Sequence, residues 1–179
     1  VPLPPSGAPG AAARRFFRNA GRTVRRGLEA GLELTAGTAT FASAYSYSDF
    51  RFDEYAVTTG AVTERYDDNR IPGIPLHQVQ ASVTWRWSGL FLTAEGIGSS
   101  RVLVDDANSS GAAGWGIANV RLGGRIPIGG TTVVPVVGVQ NLFNRRYVGS
   151  VVINAAAGRY YEPAPERTLS VGLSVATGR

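Results

Sequence analysis

The chain has 179 residues and a formal net charge of +5 at pH 7, which is length enough for one domain with its own core or for a piece of a larger protein. It contains no cysteine, which excludes disulfides and cysteine metal sites. The single histidine, His77, has no second histidine with which to form a metal site, so we expect neither a bound metal nor a cofactor.

The positive charge comes from arginine alone, because the sequence contains no lysine. Nucleic-acid-binding proteins gather their basic residues on one helix or patch. Here the arginines cluster only at residues 14–18 and 22–26, and the others are dispersed along the chain. We therefore expect no nucleic-acid partner.

Residues 1–13 are rich in proline, glycine and alanine and show no periodicity, which predicts a loop or linker. Residues 14–179 form one segment dominated by alternating patterns. Within it, residues 28–35 alternate strictly between apolar and polar or small side chains, which indicates a β-strand. A helix over residues 24–34 is the competing interpretation, because Leu, Ala and Glu are good helix formers, but the glycines in this stretch weaken it.

Six further segments alternate in the same way, which predicts about seven strands in total. They comprise residues 41–55, 80–87, 90–104, 115–125, 133–147 and 168–176. Short turns are predicted at Gly37, Ser88-Gly89 and Gly129-Gly130. Long polar loops are predicted at residues 58–75, 105–113 and 145–166. In an up-and-down antiparallel sheet, this order places all the short turns at one end and all the long loops at the other.

The two faces of the predicted strands distinguish a soluble sandwich from a membrane barrel. A soluble sheet turns a face rich in Lys, Glu and Thr to water. Here the polar face combines Ser, Thr, Gly and Gln with arginines and glutamates, and the apolar face ends in Trp and Tyr. That pattern is typical of a lipid-facing band with aromatic girdles around a polar interior. We predict an all-β fold of antiparallel, up-and-down transmembrane β-barrel strands.

The strand count indicates part of a larger barrel. Single-chain bacterial barrels have an even number of strands, and seven strands do not close comfortably by themselves. The sequence also begins at Val1 and contains no methionine, so we expect a processed chain or a fragment. The alternative is a self-contained, eight-stranded outer-membrane barrel with a structural or adhesive role, with its eighth strand supplied by residues 10–20.

An enzyme has little support in the sequence. The carboxylate pairs Asp53-Glu54, Asp67-Asp68 and Asp105-Asp106 lie in or beside predicted loops without a partnering base. Gly114-Trp115-Gly116 lacks the third glycine and the helix of a dinucleotide-binding loop. We predict no catalytic residues.

Four motifs occur in order between residues 15 and 176. They are Asn19-Ala20-Gly21 before Gly27-Leu28-Glu29, Ile71-Pro72-Gly73-Ile74-Pro75-Leu76-His77, Asn141-Leu142-Phe143-Asn144-Arg145-Arg146-Tyr147, and Tyr160-Tyr161-Glu162-Pro163-Ala164-Pro165-Glu166-Arg167. Together they resemble the C-terminal end of a TonB-dependent outer-membrane receptor. Such receptors are 22-stranded, plug-gated barrels that import iron chelates, haem, cobalamin and some sugars.

The resemblance implies that the seven strands are the last seven of 22, with the long loops extracellular and the short turns periplasmic. It implies a location in the bacterial outer membrane and a role in uptake of ferric siderophores or similar nutrients. The implied partners are outer-membrane lipid, a ferric chelate, and the TonB complex through a plug that has no counterpart in these residues. The sequence departs from the family at its end, where Ala176-Thr177-Gly178-Arg179 stands in place of a terminal aromatic residue.

The predicted extracellular loops contain the candidate ligand-binding residues. Arginine suits anionic chelates, and aromatic rings suit planar ones. The candidates are Arg65, Tyr66, Arg70, Arg146, Arg159, Tyr160 and Tyr161. The alternative is that each of them is an ordinary loop-packing residue. The positions that carry the family motif are Asn141, Leu142, Phe143, Asn144, Tyr147, Pro163 and Pro165.

Overall fold

The computed structural model describes residues 21–177, so the linker predicted for residues 1–13 and the arginines of residues 14–18 lie outside the described residues. The strands, in chain order, are β1 (Arg22–Ala36), β2 (Ala39–Glu54), β3 (Ala56–Thr59), β4 (Val62–Arg65), β5 (His77–Trp87), β6 (Leu90–Ser99), β7 (Val102–Leu103), β8 (Gly111–Ala112), β9 (Trp115–Gly124), β10 (Ile126–Ile128), β11 (Thr131–Gln140), β12 (Val148–Val151), β13 (Tyr161–Pro163) and β14 (Thr168–Thr177). One turn of 3-10 helix, Ala156–Gly158, lies between β12 and β13. Residues 21–177 contain no helix that is long and apolar enough to cross a membrane.

One antiparallel sheet contains β1, β2, β5, β6, β9 and β11 in that order, with β10 and β14 both paired to β11. Strands β9 and β10 form one long strand, because both pair with β11 in the same register: Gly123 lies opposite Val136, and Ile126 lies opposite Val133. Pro135, which has no N–H to donate, lies beside the interruption between them. The sheet therefore has seven long strands, which confirms the all-β antiparallel prediction, and β1 is a strand rather than the competing helix.

The sheet is curled and open. Within residues 21–177, β1 and β14 are its two edges and do not pair with each other. Residues 10–20, which the self-contained alternative uses as an eighth strand, lie outside the described residues. The closure that a complete barrel requires is therefore not made by the described strands.

One face of the sheet is apolar across all seven strands. A single row of paired residues from β1 to β14 consists of Leu34, Phe41, Val83, Ala94, Val120, Val139 and Leu169. Much of this face is exposed in the chain, and Leu169 and Val171 reach 74% and 84% relative accessibility. Residues 21–177 supply nothing that covers so large an apolar surface.

The opposite face is polar. The adjacent row consists of Thr35, Thr40, Thr84, Thr93, Arg121, Gly138 and Ser170. On this face the Glu95 carboxylate of β6 accepts hydrogen bonds from Gln80 Nε2 at 2.6 Å and from Asn119 Nδ2 at 2.7 Å. Because Gln80 lies on β5 and Asn119 on β9, this network joins three neighbouring strands through their side chains.

The turns at one end of the sheet are short, as predicted. The turn between β5 and β6 has two residues, Ser88 and Gly89, with φ of 46° and 83°. Positive φ at both positions matches the right-handed twist of the strands that the turn joins. Gly37 and Gly129 take positive φ in the other two short turns.

The predicted long loops are more ordered than expected. Each contains a small hairpin, formed by β3 with β4, β7 with β8, and β12 with β13. In the first, β-branched residues flank the two-residue turn Gly60-Ala61, which is a local hairpin signal that the loop prediction overlooked. The predicted strand ends at residues 104 and 147 are also wrong, because β6 ends at Ser99 and β11 at Gln140.

The three long connections, residues 55–76, 100–114 and 141–167, pack together into a unit that we call the loop cap. Apart from three glycines of the sheet, every buried residue among the described ones lies in the loop cap or at the adjoining end of β2. These residues are Phe52, Tyr55, Pro72, Val104, Asp105, Asp106, Ala112 and Asn141. The folded core of this chain is therefore in its loops rather than in its sheet.

Asparagine side chains join the connections of the loop cap. Asn108 accepts from the backbone N–H of Arg70 and donates to the Arg70 carbonyl, each at 2.8 Å. Asn69 Nδ2 donates to the Asp106 carbonyl at 2.8 Å. The Asp106 N–H donates to Asn154 Oδ1 at 3.0 Å. Each of the three connections thus contributes an asparagine to a shared network.

Gly73 allows the first and third connections to approach closely. Its φ is +84°, and its N–H donates to the Leu103 carbonyl at 2.8 Å. A Cβ at this position would lie 2.6 Å from Ile153 Cδ1. The Ile71-Pro72-Gly73-Ile74-Pro75 motif therefore requires glycine at its centre, because φ is positive and because a side chain would collide with Ile153.

We expect the substitution Asn108→Gly to loosen two connections of the loop cap together. Asn108 has a φ of 57°, so glycine removes the side chain without adding backbone strain. Losing the two hydrogen bonds to Arg70 costs about 1–3 kcal/mol. Hydrogen exchange should therefore quicken at residues 69–73 as well as at 105–110.

The control is Asp68→Gly, which changes another positive-φ residue (φ of 63°) whose side chain makes no hydrogen bond within the described chain. Faster exchange confined to residues 105–110 in the Asn108 variant would contradict the shared network.

Candidate functional site

The polar face forms a cavity at its end nearest the loop cap. The cavity has a volume of about 520 Å³ and is lined by both hydrophilic and apolar side chains from five neighbouring strands. Those side chains include Glu29, Ser46, Gln78, Gln80, Ser99 and Trp115. Alternation along β9 directs Trp115 to the same face as Asn119. The sheet thus contributes a polar floor with one aromatic ring at its border.

A second hollow adjoins this cavity through Trp115, and we call it the Trp115 groove. It has a volume of about 450 Å³. The residues that matter for its chemistry are Trp115, Arg145, Arg146, Tyr147, Tyr161 and Pro163. They come from the start of β9, from the turn after β11 and from β13, so the groove is built where the sheet meets the loop cap.

Aromatic rings dominate the groove. The Trp115 and Tyr147 rings pack at a centroid distance of 4.4 Å with planes 37° apart. Tyr161 also lines the groove, and Tyr160 packs against it edge to face at 6.0 Å. The groove therefore presents aromatic surface from both the sheet and the third connection.

The charge of the groove is positive, because it is lined by two arginines and by no carboxylate. Arg146 Nε donates to Glu166 Oε1 at 3.1 Å, in a pair exposed enough to be weak. Arg145 donates through Nη1 to the Gly116 carbonyl at 3.3 Å and has no ion-pair partner within residues 21–177. An anion that entered the groove would meet Arg145 without displacing a carboxylate.

Asn141 positions these arginines. It is buried, its φ is 51°, and its side chain both accepts from the Arg145 N–H and donates to the Arg145 carbonyl at 2.8 Å. The same amide donates to the Pro165 carbonyl at 3.4 Å, and the Asn141 N–H donates to Asn119 Oδ1 at 2.9 Å. The Asn141 side chain thus fixes the turn after β11, because it forms hydrogen bonds both with the backbone of that turn and with Pro165 at the other end of the third connection.

The other motif residues complete this turn. Asn144, with a φ of 52°, accepts the N–H of Arg167 at 2.8 Å. Leu142 donates its N–H to the Ala118 carbonyl at 2.8 Å. Phe143 is 78% exposed, and nothing in the described chain explains why it is aromatic. The motif from Asn141 to Tyr147 therefore mainly has a structural role, because it fixes the end of β11 against β9 and β14.

Three of the predicted ligand residues lie elsewhere, in the first connection. Arg65 pairs with Asp67 at 2.8 Å, and the Tyr66 hydroxyl donates to the Glu64 carboxylate. That hydrogen bond, with burial second, raises the pKa of Tyr66 to about 12, so the phenol stays neutral in the physiological range. The Tyr55 N–H, and then Arg65, hold the pKa of Asp67 below its usual value. This contribution to stability is present above about pH 4 and is lost as pH falls through the folded pKa.

Arg70 serves the loop cap through its backbone, which pairs with Asn108. Its Nε is buried and has no hydrogen-bond partner among the described residues. Arg159, by contrast, is exposed just after the 3-10 helix and makes no ion pair within residues 21–177.

Of the seven predicted ligand residues, the structure brings Arg146 and Tyr161 into the groove, with Tyr160 beside them. The motif residues Tyr147 and Pro163 line it as well. Sequence reasoning missed Trp115 and Arg145. The sequence pattern places Trp115 at the start of a predicted strand. An aromatic side chain on the polar face next to a long loop is the signal that could have identified it as a candidate ligand residue. Residues 21–177 contain no cluster of three or more His, Cys, Asp or Glu side chains that could hold a metal ion.

Comparison with known proteins identifies the family. The model for the β-barrel of TonB dependent receptor-like proteins matches residues 1–142. The chain therefore belongs to the TonB-dependent receptor β-barrel family, which confirms the resemblance in the sequence motifs.

Solved structures share the fold. The siderophore receptor PiuA from Acinetobacter baumannii is 18% identical over 86% of this chain and 22% of its own, with a TM-score of 0.72. BauA, the ferric preacinetobactin receptor from the same organism, is 16% identical over 86% of this chain and 22% of its own, with a TM-score of 0.69. The ferric yersiniabactin uptake receptor FyuA from Yersinia pestis is 21% identical over 87% of this chain and 24% of its own, with a TM-score of 0.67.

The chain thus spans less than a quarter of the length of each of these receptors. Members of the family are TonB-dependent transport receptors of the outer membrane, and they are not enzymes. The prediction that the chain is not an enzyme is confirmed by this membership.

We expect Asn141→Gly to release the turn that carries Arg145 to Tyr147. Glycine keeps the positive φ, and removal of both hydrogen bonds to Arg145 costs about 2–3 kcal/mol locally. That loss corresponds to a roughly 30- to 150-fold fall in hydrogen-exchange protection of the Arg145 amide.

The matched control is Asn144→Gly, which should expose the Arg167 amide and leave that of Arg145 protected. Equal effects of the two substitutions on both amides would refute the separate roles assigned to the two asparagines.

Proposed function

We propose that the chain forms part of the wall of an outer-membrane receptor that takes up a ferric chelate, with the loop cap outside the cell. The observation that carries this proposal is the Trp115 groove, where two arginines and three aromatic rings gather at the loop end of the polar face. Ferric chelates are commonly anionic, and arginine binds anionic oxygen through directed, charge-assisted hydrogen bonds. Family membership supports the same conclusion.

The apolar face supports contact with lipid. Aromatic residues lie at both ends of this face, with Trp85 and Trp87 near the short turns and Tyr45, Tyr47 and His77 near the loop cap. The Tyr45 hydroxyl and His77 Nδ1 are hydrogen-bonded at 2.8 Å. From His77 to Trp87, β5 extends about 33 Å at ~3.3 Å per residue. At a strand tilt of about 40°, that is about 25 Å along the membrane normal, the height of the apolar band in such barrels.

Other parts of the complete receptor supply the remaining functions in this proposal. They comprise the strands that pair with β1 and β14, a plug inside the barrel and the contact with TonB. The exposed edges of the described sheet require such partners, because unpaired backbone groups are costly in hydrocarbon.

We expect Val171→Arg to impair membrane assembly of the receptor that carries this chain. Val171 lies on the apolar face in the middle of β14, where arginine costs about 2–4 kcal/mol if that face meets lipid. The measurements are urea unfolding of the receptor in lipid vesicles and the amount of heat-modifiable protein in the outer-membrane fraction.

Ser174→Arg is the matched control, since Ser174 lies on the polar face of the same strand. An equal loss in both variants, or no loss in either, would sink the assignment of the apolar face to lipid.

We expect Arg145→Gln to weaken chelate capture. Losing one charge-assisted hydrogen bond costs about 1.5–3 kcal/mol, so the chelate concentration for half-maximal uptake should rise about tenfold or more. Uptake of radiolabelled iron is measured in iron-starved cells whose only ferric-chelate receptor is the complete protein containing this chain.

Arg125→Gln provides the control, because Arg125 lies at the short-turn end of the sheet, far from the groove along β9. If the receptor supports no uptake of any ferric chelate, the proposed function is wrong. Equal effects of the two substitutions on uptake would show that the Trp115 groove does not bind the chelate.

A further inference from the structure

We infer that the Trp115 groove selects ferric chelates that carry an aryl ring, such as a catecholate or a phenolate, over chelates made only of aliphatic hydroxycarboxylates. This inference rests on the proposed function and deepens it by naming the chemical class of the ligand. It follows from the balance between aromatic surface and free positive charge in the groove.

The groove offers more aromatic surface than free charge. Trp115, Tyr147 and Tyr161 line it, and Tyr161 is 45% exposed. Its volume of about 450 Å³ lies within the range of small-molecule sites and is large enough for an aryl group together with part of a metal chelate. Aromatic faces attract a second ring in offset or edge-on arrangements, which an aliphatic carboxylate cannot reproduce.

The free positive charge is limited. Arg146 is already paired with Glu166, and Arg145 has one of its donors on the Gly116 carbonyl. A chelate whose surface consists almost entirely of carboxylates needs several unpaired cations to replace its hydration. One arginine without a carboxylate partner suits a ligand whose anionic oxygens are bound to the iron and whose exposed surface is mainly aromatic.

The rings are held by hydrogen-bonded backbone. Trp115 lies in β9 opposite Ser99 of β6, and Tyr161 pairs with Val151 in the hairpin of β12 and β13. The Tyr147 carbonyl accepts the N–H of Ala164 at 3.0 Å. Because the backbone of each ring is fixed before a ligand arrives, little conformational entropy is lost when a ring of the ligand stacks on them.

The test uses the complete purified receptor and three probes: ferric enterobactin as a catecholate, ferric yersiniabactin as a phenolate, and ferric citrate as an aliphatic hydroxycarboxylate. Trp115→Leu keeps apolar volume and removes the indole ring. We expect it to weaken binding of the preferred aryl chelate about tenfold and to change the citrate affinity less than threefold, because an aryl ligand loses its stacking on the indole and citrate has no ring to stack.

Two further variants separate stacking from folding. Trp115→Phe retains a ring, so its affinity for the aryl chelate should stay within about threefold of the wild type. Trp87→Leu makes the same change on the apolar face near the short turns and should leave all three affinities unchanged. Heat-modifiable migration confirms that each variant has assembled.

The inference is overturned if the wild-type receptor prefers citrate to both aryl chelates, or if Trp115→Leu leaves the aryl affinity unchanged or weakens all probes equally. In those cases the receptor still binds a ferric chelate, so the proposed function stands without the inference. If the wild-type receptor binds none of the three probes, the inference is overturned as well, and the uptake assay with other ferric chelates decides the proposed function separately.

Discussion

The structure depends on one constraint: the described residues bury neither face of the sheet that they form. The apolar row from Leu34 to Leu169 is largely open on one side, and the polar row from Thr35 to Ser170 on the other. Backbone hydrogen bonds hold the strands together, but burial of apolar area, the main favourable term in folding, is missing from the sheet. In the proposed receptor, such a sheet forms the boundary between two environments, with lipid on one side and a polar interior on the other.

The loop cap compensates for this at one end. Val104 is fully buried there, and Phe52 packs on Tyr55 at a centroid distance of 4.5 Å. The side-chain amides that join the connections satisfy backbone groups which would otherwise be unpaired next to these rings. The groove with its arginines can be held in place because this part of the chain, unlike the sheet, has a core of its own.

Sequence reasoning predicted the sheet well and the cap poorly, for a physical reason. Alternation along β5 or β14 shows which face of the sheet each residue occupies. The number of strands, their two faces and the short turns could therefore be predicted from the sequence. The cap depends on pairings such as Asn108 with Arg70, 38 residues apart, which leave no periodic signal. Residue type alone predicts Arg146 and Tyr161 as ligand residues. Trp115 joins the groove through a long-range contact with Tyr147, which the sequence pattern does not show.

The Glu95 network also bears on how the strands find their partners. In the proposed receptor, a slip of one residue between β5 and β6 would turn one strand's side chains to the opposite face and would carry Glu95 or its partner Gln80 towards hydrocarbon. A carboxylate without its two amide donors is far more costly there than a misplaced alanine or glycine. This region of β6 and β9 is rich in small residues that discriminate weakly between registers, so in the proposed receptor the polar triplet of Gln80, Glu95 and Asn119 favours the correct register.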